Sequence, residues 1–279
     1  MNKSQISKVA FYYRKDNAPA AYWIEKIQSL IKRKLPQVIF TDKNPDVLII
    51  LGGDGTILEG AKKYHKSNPL VFGLNLGHVG FLASVREPKD FIPSLEKFLQ
   101  KRYLVAERMM LLVSVLRNNR EIFSSEALNE ATIQNPLGMI DLETHVNGMA
   151  IKKFRGSGVL VATATGSTAY NLSAHGPIVM PDIKCMILTE VMTHDVPSPS
   201  LVLNYNREVR LKIKSFRQRG LIAMDKNKAD VILVTDGARP FALQEGDVVA
   251  IKNSSHVARF IELENNYFFK SLKEKFSIK

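Results

Sequence analysis

Five apolar residues in a row, Val47-Leu48-Ile49-Ile50-Leu51, run straight into Gly52-Gly53-Asp54-Gly55. A continuous apolar run of that length, bounded by turn residues, marks a strand covered on both faces. Such a strand belongs in a parallel sheet with helices on either side. The neighbouring segments keep that alternation. Val9 to Tyr13 reads as a strand. Ala18 to Lys34 carries Ala21, Ile24, Ile27, Leu30 and Ile31 at helical spacing and is stopped by Pro36. Val38 to Phe40 and Leu70 to Leu74 read as strands, and Thr56 to Lys66 and Pro88 to Arg102 as helices.

After about residue 103 the pattern changes. Arg108 to Leu116, Ala127 to Ile133, Thr144 to Phe154, Gly158 to Ala164, Val209 to Ile213, Ala229 to Thr235 and Asp247 to Lys252 are short strand-like runs, and Asn147-Gly148 is a hairpin turn signal. The expected fold is an α/β N-terminal domain with a parallel sheet over residues 1–105, then an all-β C-terminal domain over residues 106–265. The segment 266–279, rich in aromatics and lysines, reads as a further helix.

Composition sets bounds on partners. Of the 279 residues, 45% are hydrophobic, so a sizeable core needs no staples. The single cysteine, Cys185, rules out an internal disulfide framework and suits a reducing compartment. No apolar run has membrane-spanning length, and the first residues are too polar for a signal peptide, so a cytoplasmic protein is expected. The net charge of +12 serves solubility or favours phosphorylated ligands. It is scattered in short groups rather than drawn into a basic stripe, which argues against nucleic acid.

The glycine turn carries the chemistry. Ligands of an open parallel sheet gather at the carboxyl ends of its strands. Glycines there let backbone N–H groups approach an anion, and a following helix adds partial positive charge. A carboxylate in such a place repels a phosphate, so Asp54 either caps the next helix or acts on the ligand, by taking a proton or holding a phosphate-bound cation. Other motifs fail: Gly55 to Lys62 misses the P-loop pattern by one residue, Gly156-Ser157-Gly158 lacks a third glycine, and no His/Cys cluster has zinc spacing. Three further stretches qualify as ligand loops. Gly73 to Ala83, with Asn75, Gly77 and Gly80, is a loop passing near a ligand or a plain tight turn. Asn129 and Glu130, in an otherwise apolar run, are partly buried beside a ligand or lie in an edge strand. Thr163 to Val179 gathers Thr165, Ser167, Thr168 and Ser173 around Tyr170, as a ligand loop or as a capped strand–helix junction. His78, His175 and His194 stand near turns and read as turn residues.

The set Gly52-Gly53-Asp54-Gly55-Thr56, Asn75-x-Gly77-x-x-Gly80-Phe81-Leu82, Asn129-Glu130 and Gly166-Ser167-Thr168-Ala169-Tyr170-Asn171, in that order, resembles the NAD kinases. The likeness is densest from about residue 45 to 180 and weaker beyond, where Asp236-Gly237 still agrees. The glycine turn alone is shared with lipid kinases and phosphofructokinases, so a lipid or small-alcohol kinase is the alternative. A nucleotide sensor without turnover is a third reading. The resemblance implies transfer of phosphate from ATP or polyphosphate to the 2′-hydroxyl of the adenosine ribose of NAD, with magnesium accompanying the donor. It implies NAD held between the two domains, a homodimer or homotetramer, no residues dedicated to a metal, and a last segment folded back on the first domain. It makes Asp54 the general base, with Gly53, Gly55 and Thr56 at the donor phosphates. Asn75, Asn129, Glu130, Thr168, Ala169, Tyr170 and Ser173 would line the nucleotide pocket. Ser157 stands where relatives usually carry an aspartate that contacts NAD, His175 where a glycine is common, and Met192 to Pro197 fits the family's Pro-His region loosely.

Overall fold

The computed structural model describes residues 6–77, 80–194, 196, 198–224, 228–264 and 266–276. His78, Asp195 and Pro197, singled out above, lie outside them, as do residues 277–279 of the last segment. The chain forms two compact units, one of residues 1–108 with 256–279 and the other of residues 109–255.

The first unit opens with β1 (Lys8–Tyr13), α1 (Ala18–Lys34), β2 (Ile39–Phe40), β3 (Val47–Leu51), α2 (Asp54–Tyr64), β4 (Leu70–Leu74) and α3 (Phe91–Leu99). All strand pairs here are parallel: β1 lies between β2 and β3, and β4 lies beyond β3. Every residue of β3 is fully buried, as a strand flanked by strands and covered on both faces must be. In α1 the buried stripe is Ala20, Ile27, Leu30 and Ile31, so it is Ala20 rather than Ala21 that faces the core, while Ile24 is half-buried. Trp23 of α1 meets Phe91 of α3 edge-on at 5.0 Å. Helix α2 packs closely on the sheet because Gly60 faces it: a Cβ there would come within 2.8 Å of Ile50 and Tyr12. The helix expected over Pro88 to Arg102 begins as a 3₁₀ turn and ends at Leu99, with Lys101 left-handed at φ 60°.

The second unit is mostly antiparallel. Its strands are β5 (Leu104–Arg117, entering from the first unit), β6 (Arg120–Ala127), β7 (Glu130–Gln134), β8 (Ile140–Val146), β9 (Met149–Thr163), then the one-turn α4 (Tyr170–Ser173), β10 (Cys185–Thr193), β11 (Leu201–Asn204), β12 (Val209–Phe216), the small pair β13 (Ile222–Ala223) and β14 (Lys228–Ala229), β15 (Ile232–Thr235), β16 (Phe241–Ala242) and β17 (Val248–Glu262, leaving for the first unit). Asn147 and Gly148, at φ 48° and 82°, turn β8 into β9 as expected. The core gathers Leu111, Val113, Ile133, Val161, Leu211 and Val249 from alternating strand positions. Gly156 to Gly158 is not a turn but the middle of β9, where it crosses neighbouring backbone. A Cβ at Gly158 would lie 2.4 Å from the Ile133 carbonyl oxygen.

The chain then returns to the first unit, where Arg259 and Phe260 of β17 pair in parallel with Leu70 and Val71 of β4. The division therefore falls within β17, ten residues before the boundary placed at 265, because β4 needs a second neighbour and β17 supplies it. Helix α5 (Tyr267–Lys275) follows in the same unit.

Candidate active site

Asp54 is the first residue of α2, and Gly53 is its N-cap, in extended conformation. The helix begins earlier than the sequence pattern indicates because the Gly53 carbonyl already accepts the N–H groups of Thr56 and Ile57, at 2.9 and 3.1 Å. It ends at Tyr64, where a 3₁₀ turn takes over. The Asp54 side chain does not cap its own helix. Its Oδ2 accepts the Phe81 N–H at 2.7 Å and its Oδ1 the Leu82 N–H at 3.2 Å. Gly80 makes this possible, since a Cβ there would lie 2.1 Å from Oδ1. Burial pushes the Asp54 carboxyl above its ordinary value, against the opposing pull of the two amides and of Lys275. A carboxylate oxygen can accept more than one hydrogen bond, so each oxygen keeps acceptor capacity for a substrate proton.

The surrounding turn divides into open and filled positions. A Cβ at Gly53 or Gly55 would meet nothing within 4 Å, so the bare backbone at the start of α2 faces open space. The first N–H groups of a helix have no intrahelical acceptor and suit an anion. Thr56 is different: it is buried beneath Gly52, whose Cβ would meet the Thr56 side chain at 2.7 Å. Asn75 is also buried. Its Nδ2 donates to the carbonyls of Gly77 and Arg86, at 3.0 and 3.2 Å, and its Oδ1 accepts the Gly77 N–H. Both amide protons are therefore engaged in holding the loop that presents Phe81 and Leu82, and none remains to donate to a nucleotide.

In the second unit, Asn129 sits in a bend before β7 rather than within a strand, and Glu130 is the buried first residue of β7. β7 is paired on both sides, by β15 and β9, so it is not an edge. One carboxylate fixes this bend: Asp236 accepts the N–H groups of Leu128, Asn129 and Glu130 at 2.8, 2.8 and 3.2 Å. Thr163 closes it from β9, donating to the Leu128 carbonyl at 2.6 Å. The turn after β9 lies directly against the bend, since a Cβ at Gly166 would be 2.1 Å from the Asn129 carbonyl oxygen. The structure thus brings Asn129 and Glu130 together with the Thr168 to Ser173 turn, in which Thr168 and Ala169 are half-buried and Tyr170 and Ser173 exposed. Ser167 and Asn171 serve as its frame. Ser167 Oγ bonds the Val179 backbone, and Asn171 Nδ2 donates to the carbonyls of Ser167 and Pro177. Ser157 stands apart. It lies six residues before Thr163 on β9, about 20 Å away at roughly 3.3 Å per strand residue. Asp236 is the site residue with the faintest sequence signal, a single Asp-Gly pair; both of its residues adopt left-handed conformations.

A parallel α/β unit with a Gly-Gly-Asp-Gly strand–helix turn, followed by a mostly antiparallel β unit, defines the class of two-domain, glycine-turn nucleotide-binding folds. Comparison with known proteins narrows this. Residues 9–103 match the family model for the ATP-NAD kinase N-terminal domain, and residues 128–263 that for the ATP-NAD kinase C-terminal domain. The NAD kinase of Natranaerobius thermophilus is 36% identical over 232 residues, covering 82% of this chain and 77% of its own. That of Caldanaerobacter subterraneus subsp. tengcongensis is also 36% identical over 232 residues, covering 82% and 78%. Among solved structures, an NAD kinase from Archaeoglobus fulgidus in complex with ATP superposes with a TM-score of 0.76 at 27% identity, covering 98% of this chain and 100% of that one. Yeast NADH kinase complexed with NADH shares the fold with a TM-score of 0.87 at 20% identity, covering 99% and 89%. The chain belongs to the NAD kinase family. No helix among the described residues is long and apolar enough to cross a membrane.

Proposed function

We propose that this protein is an NAD kinase that moves the γ-phosphoryl group of ATP, or a phosphoryl group of polyphosphate, to the 2′-hydroxyl of the adenosine ribose of NAD, giving NADP. The observation that carries the reading is the Asp54 carboxylate, braced by two backbone amides in a glycine frame and raised in proton affinity by burial. In the reaction the 2′-oxygen forms a bond to the transferred phosphorus and the bond from phosphorus to the leaving phosphate oxygen breaks. The hydroxyl proton passes to Asp54. Gly53 and Gly55 present bare backbone to the donor phosphates, and Thr56 holds the turn beneath them. Asn129, Glu130, Thr168, Ala169, Tyr170 and Ser173 receive NAD, with Ser157 in the place of the family aspartate. Catalysis of this kind is mostly positioning and charge neutralisation, so a small residue set suffices.

Magnesium belongs to the proposal as a companion of the donor phosphates. The glycine turn offers one carboxylate and neither His nor Cys, which fits a cation brought by the donor rather than one caged by the protein. A cytoplasmic location and a homodimer or homotetramer complete the reading. A lipid or small-alcohol kinase is disfavoured because both matching family models are those of NAD kinases. The test is to incubate the protein with NAD and Mg-ATP, or Mg-polyphosphate, and to detect NADP with an NADP-specific dehydrogenase. NADP formation is expected, and its absence with every donor tried would end the reading.

A further inference from the structure

Asp54 receives both of its amide donors from residues 81 and 82, so whatever holds that loop holds the base. The loop ends at Arg86, and Arg86 is committed to the last helix. Its Nη1 donates to Glu274 Oε2 at 2.8 Å. Its Nη2 donates to the Tyr267 carbonyl at 3.0 Å and to Ser271 Oγ at 2.9 Å. The guanidinium lies 4.6 Å from the centre of the Tyr267 ring. At the other end of the loop the rings of Phe81 and Phe268 meet at 5.8 Å. Ser271 is fully buried by this docking. A nine-residue helix is too short to be stable alone, so α5 owes its form to these contacts. The Tyr267 hydroxyl is buried beside Arg86 and Ser271 and lies within reach of the Asp54 charge, so ring and oxygen both belong to the clamp.

We propose that Arg86 and Tyr267 are positioning residues for Asp54: α5, clamped on the 81–86 loop through them, keeps the Phe81 and Leu82 amides against the carboxylate and so governs how readily it accepts a proton. For its rate readout this rests on the function proposed above. Among the described residues the titratable and charged groups around Asp54 are few. Tyr267 and Lys275 face it from α5, Arg86 belongs to the loop, and Glu59 is the next charge along α2. Both the amides and Lys275 favour the charged form. Loosening α5 while the 81–86 loop still covers the carboxylate weakens all three, so the carboxylate holds its proton to higher pH. A base must be ionised, so the acid limb of the pH profile of kcat/KM moves upward.

The test compares the full-length protein with Arg86→Ala, Tyr267→Ala and Tyr267→Phe. Arg86→Ala and Tyr267→Ala are expected to raise the acid limb by about one pH unit. At the foot of that limb kcat/KM then falls about tenfold, and the KM values for NAD and donor shift less than threefold. Tyr267→Phe keeps the ring under Arg86 and is expected to move the limb less than Tyr267→Ala does; a displacement equal to that of Tyr267→Ala would overturn the ring's part in the clamp. Hydrogen exchange supplies a readout free of turnover. The Phe81 and Leu82 amides are expected to exchange at least about tenfold faster in Arg86→Ala, while those of β3 do not change. Should Arg86→Ala fail to fold, Phe268→Ala loosens the same docking without removing a charge, with the same directions expected. Unchanged exchange at Phe81 and Leu82 once the α5 amides have lost protection refutes the proposal. A wild-type protein that makes no NADP refutes the function instead, and leaves the exchange result to decide on the clamp.

Discussion

Two aspartates, one in each unit, sit in cradles of backbone amides and come out with opposite proton affinities. Asp54 in the first unit accepts two N–H groups and is pushed up by burial that the amides and Lys275 only partly offset. Asp230 in the second unit is also pushed up by burial, but three N–H groups, from Arg219, Gly220 and Leu221, outweigh it and hold the carboxyl below its ordinary value. Deeper desolvation at Asp54, against a third amide and the Arg219 charge at Asp230, separates a carboxylate that can take a proton from one that ties a turn. The signs for stability differ accordingly. Asp54 favours the fold most at low pH, and that contribution is lost as pH rises through its elevated folded value. Asp230 contributes above the ordinary aspartate range, and its contribution is lost as pH falls through its depressed folded value.

The sharpest way to break the contrast is Asp54→Asn. Loss of the base is expected to lower kcat on the order of 10³-fold, about 4 kcal/mol of barrier, while NAD affinity by calorimetry stays close to wild type. The asparagine removes a charge that the fold disfavours but turns its NH2 toward one of the two N–H donors, so denaturant unfolding at pH 7 should show a smaller loss of stability than Asp230→Asn. A matched pair of glycines comes next. Gly80→Ala and Gly166→Ala each place a methyl about 2.1 Å from an oxygen, but Gly80 meets the movable Asp54 carboxylate and Gly166 meets fixed backbone. Gly166→Ala is expected to cost about 3 kcal/mol of stability in urea titrations. Gly80→Ala should instead displace the base, cutting kcat about 100-fold, about 3 kcal/mol, at a smaller cost in stability. Equal stability losses in the two would erase the distinction.

Asp230→Asn turns an amide group toward three N–H donors and is expected to cost about 2 kcal/mol at pH 7, with no change in kcat. That deficit should shrink as pH falls through the depressed Asp230 value, which unfolding curves between neutral and acid pH would show. The smallest effect belongs to Gly53→Ala, whose methyl enters open space. Stability should change by less than about 0.5 kcal/mol, and a raised KM for the phosphate donor would mark the backbone there as the donor's surface.

The same contrast explains what could be read from the sequence. In the first unit the strands are buried on both faces, so β3 and β4 stand out as unbroken apolar runs and their bounds were legible to the residue. In the second unit β6, Arg120 to Ala127, carries few apolar residues because much of it is exposed, and its run of polar side chains hid it. β10 and β11 were likewise not legible, β9 read as two runs interrupted at Arg155 to Ser157, and β17 as less than half its length. Of the site, the Asp54 turn was legible because its glycines are local. What holds Asp54 was not, since Phe81 and Leu82 are distant in sequence and act through backbone. Asn75 carried an amide that suggested a ligand contact, yet both its protons serve the loop, which only the folded geometry reveals. Asp236 acts on residues more than a hundred positions earlier, and no pattern in the chain announces that pairing.

The interrupted path of the first unit has a consequence for biogenesis. Its sheet is closed by Arg259 and Phe260 of β17, so β4 lacks its outer neighbour until the whole of residues 109–255 has left the ribosome. At typical translation speeds that interval lasts on the order of ten seconds. Throughout it a fully apolar strand offers an unpaired edge, the kind of surface that recruits other nascent chains. Newly made protein is therefore most in need of chaperones before β17 emerges, and the base acquires its clamp only once α5 has followed.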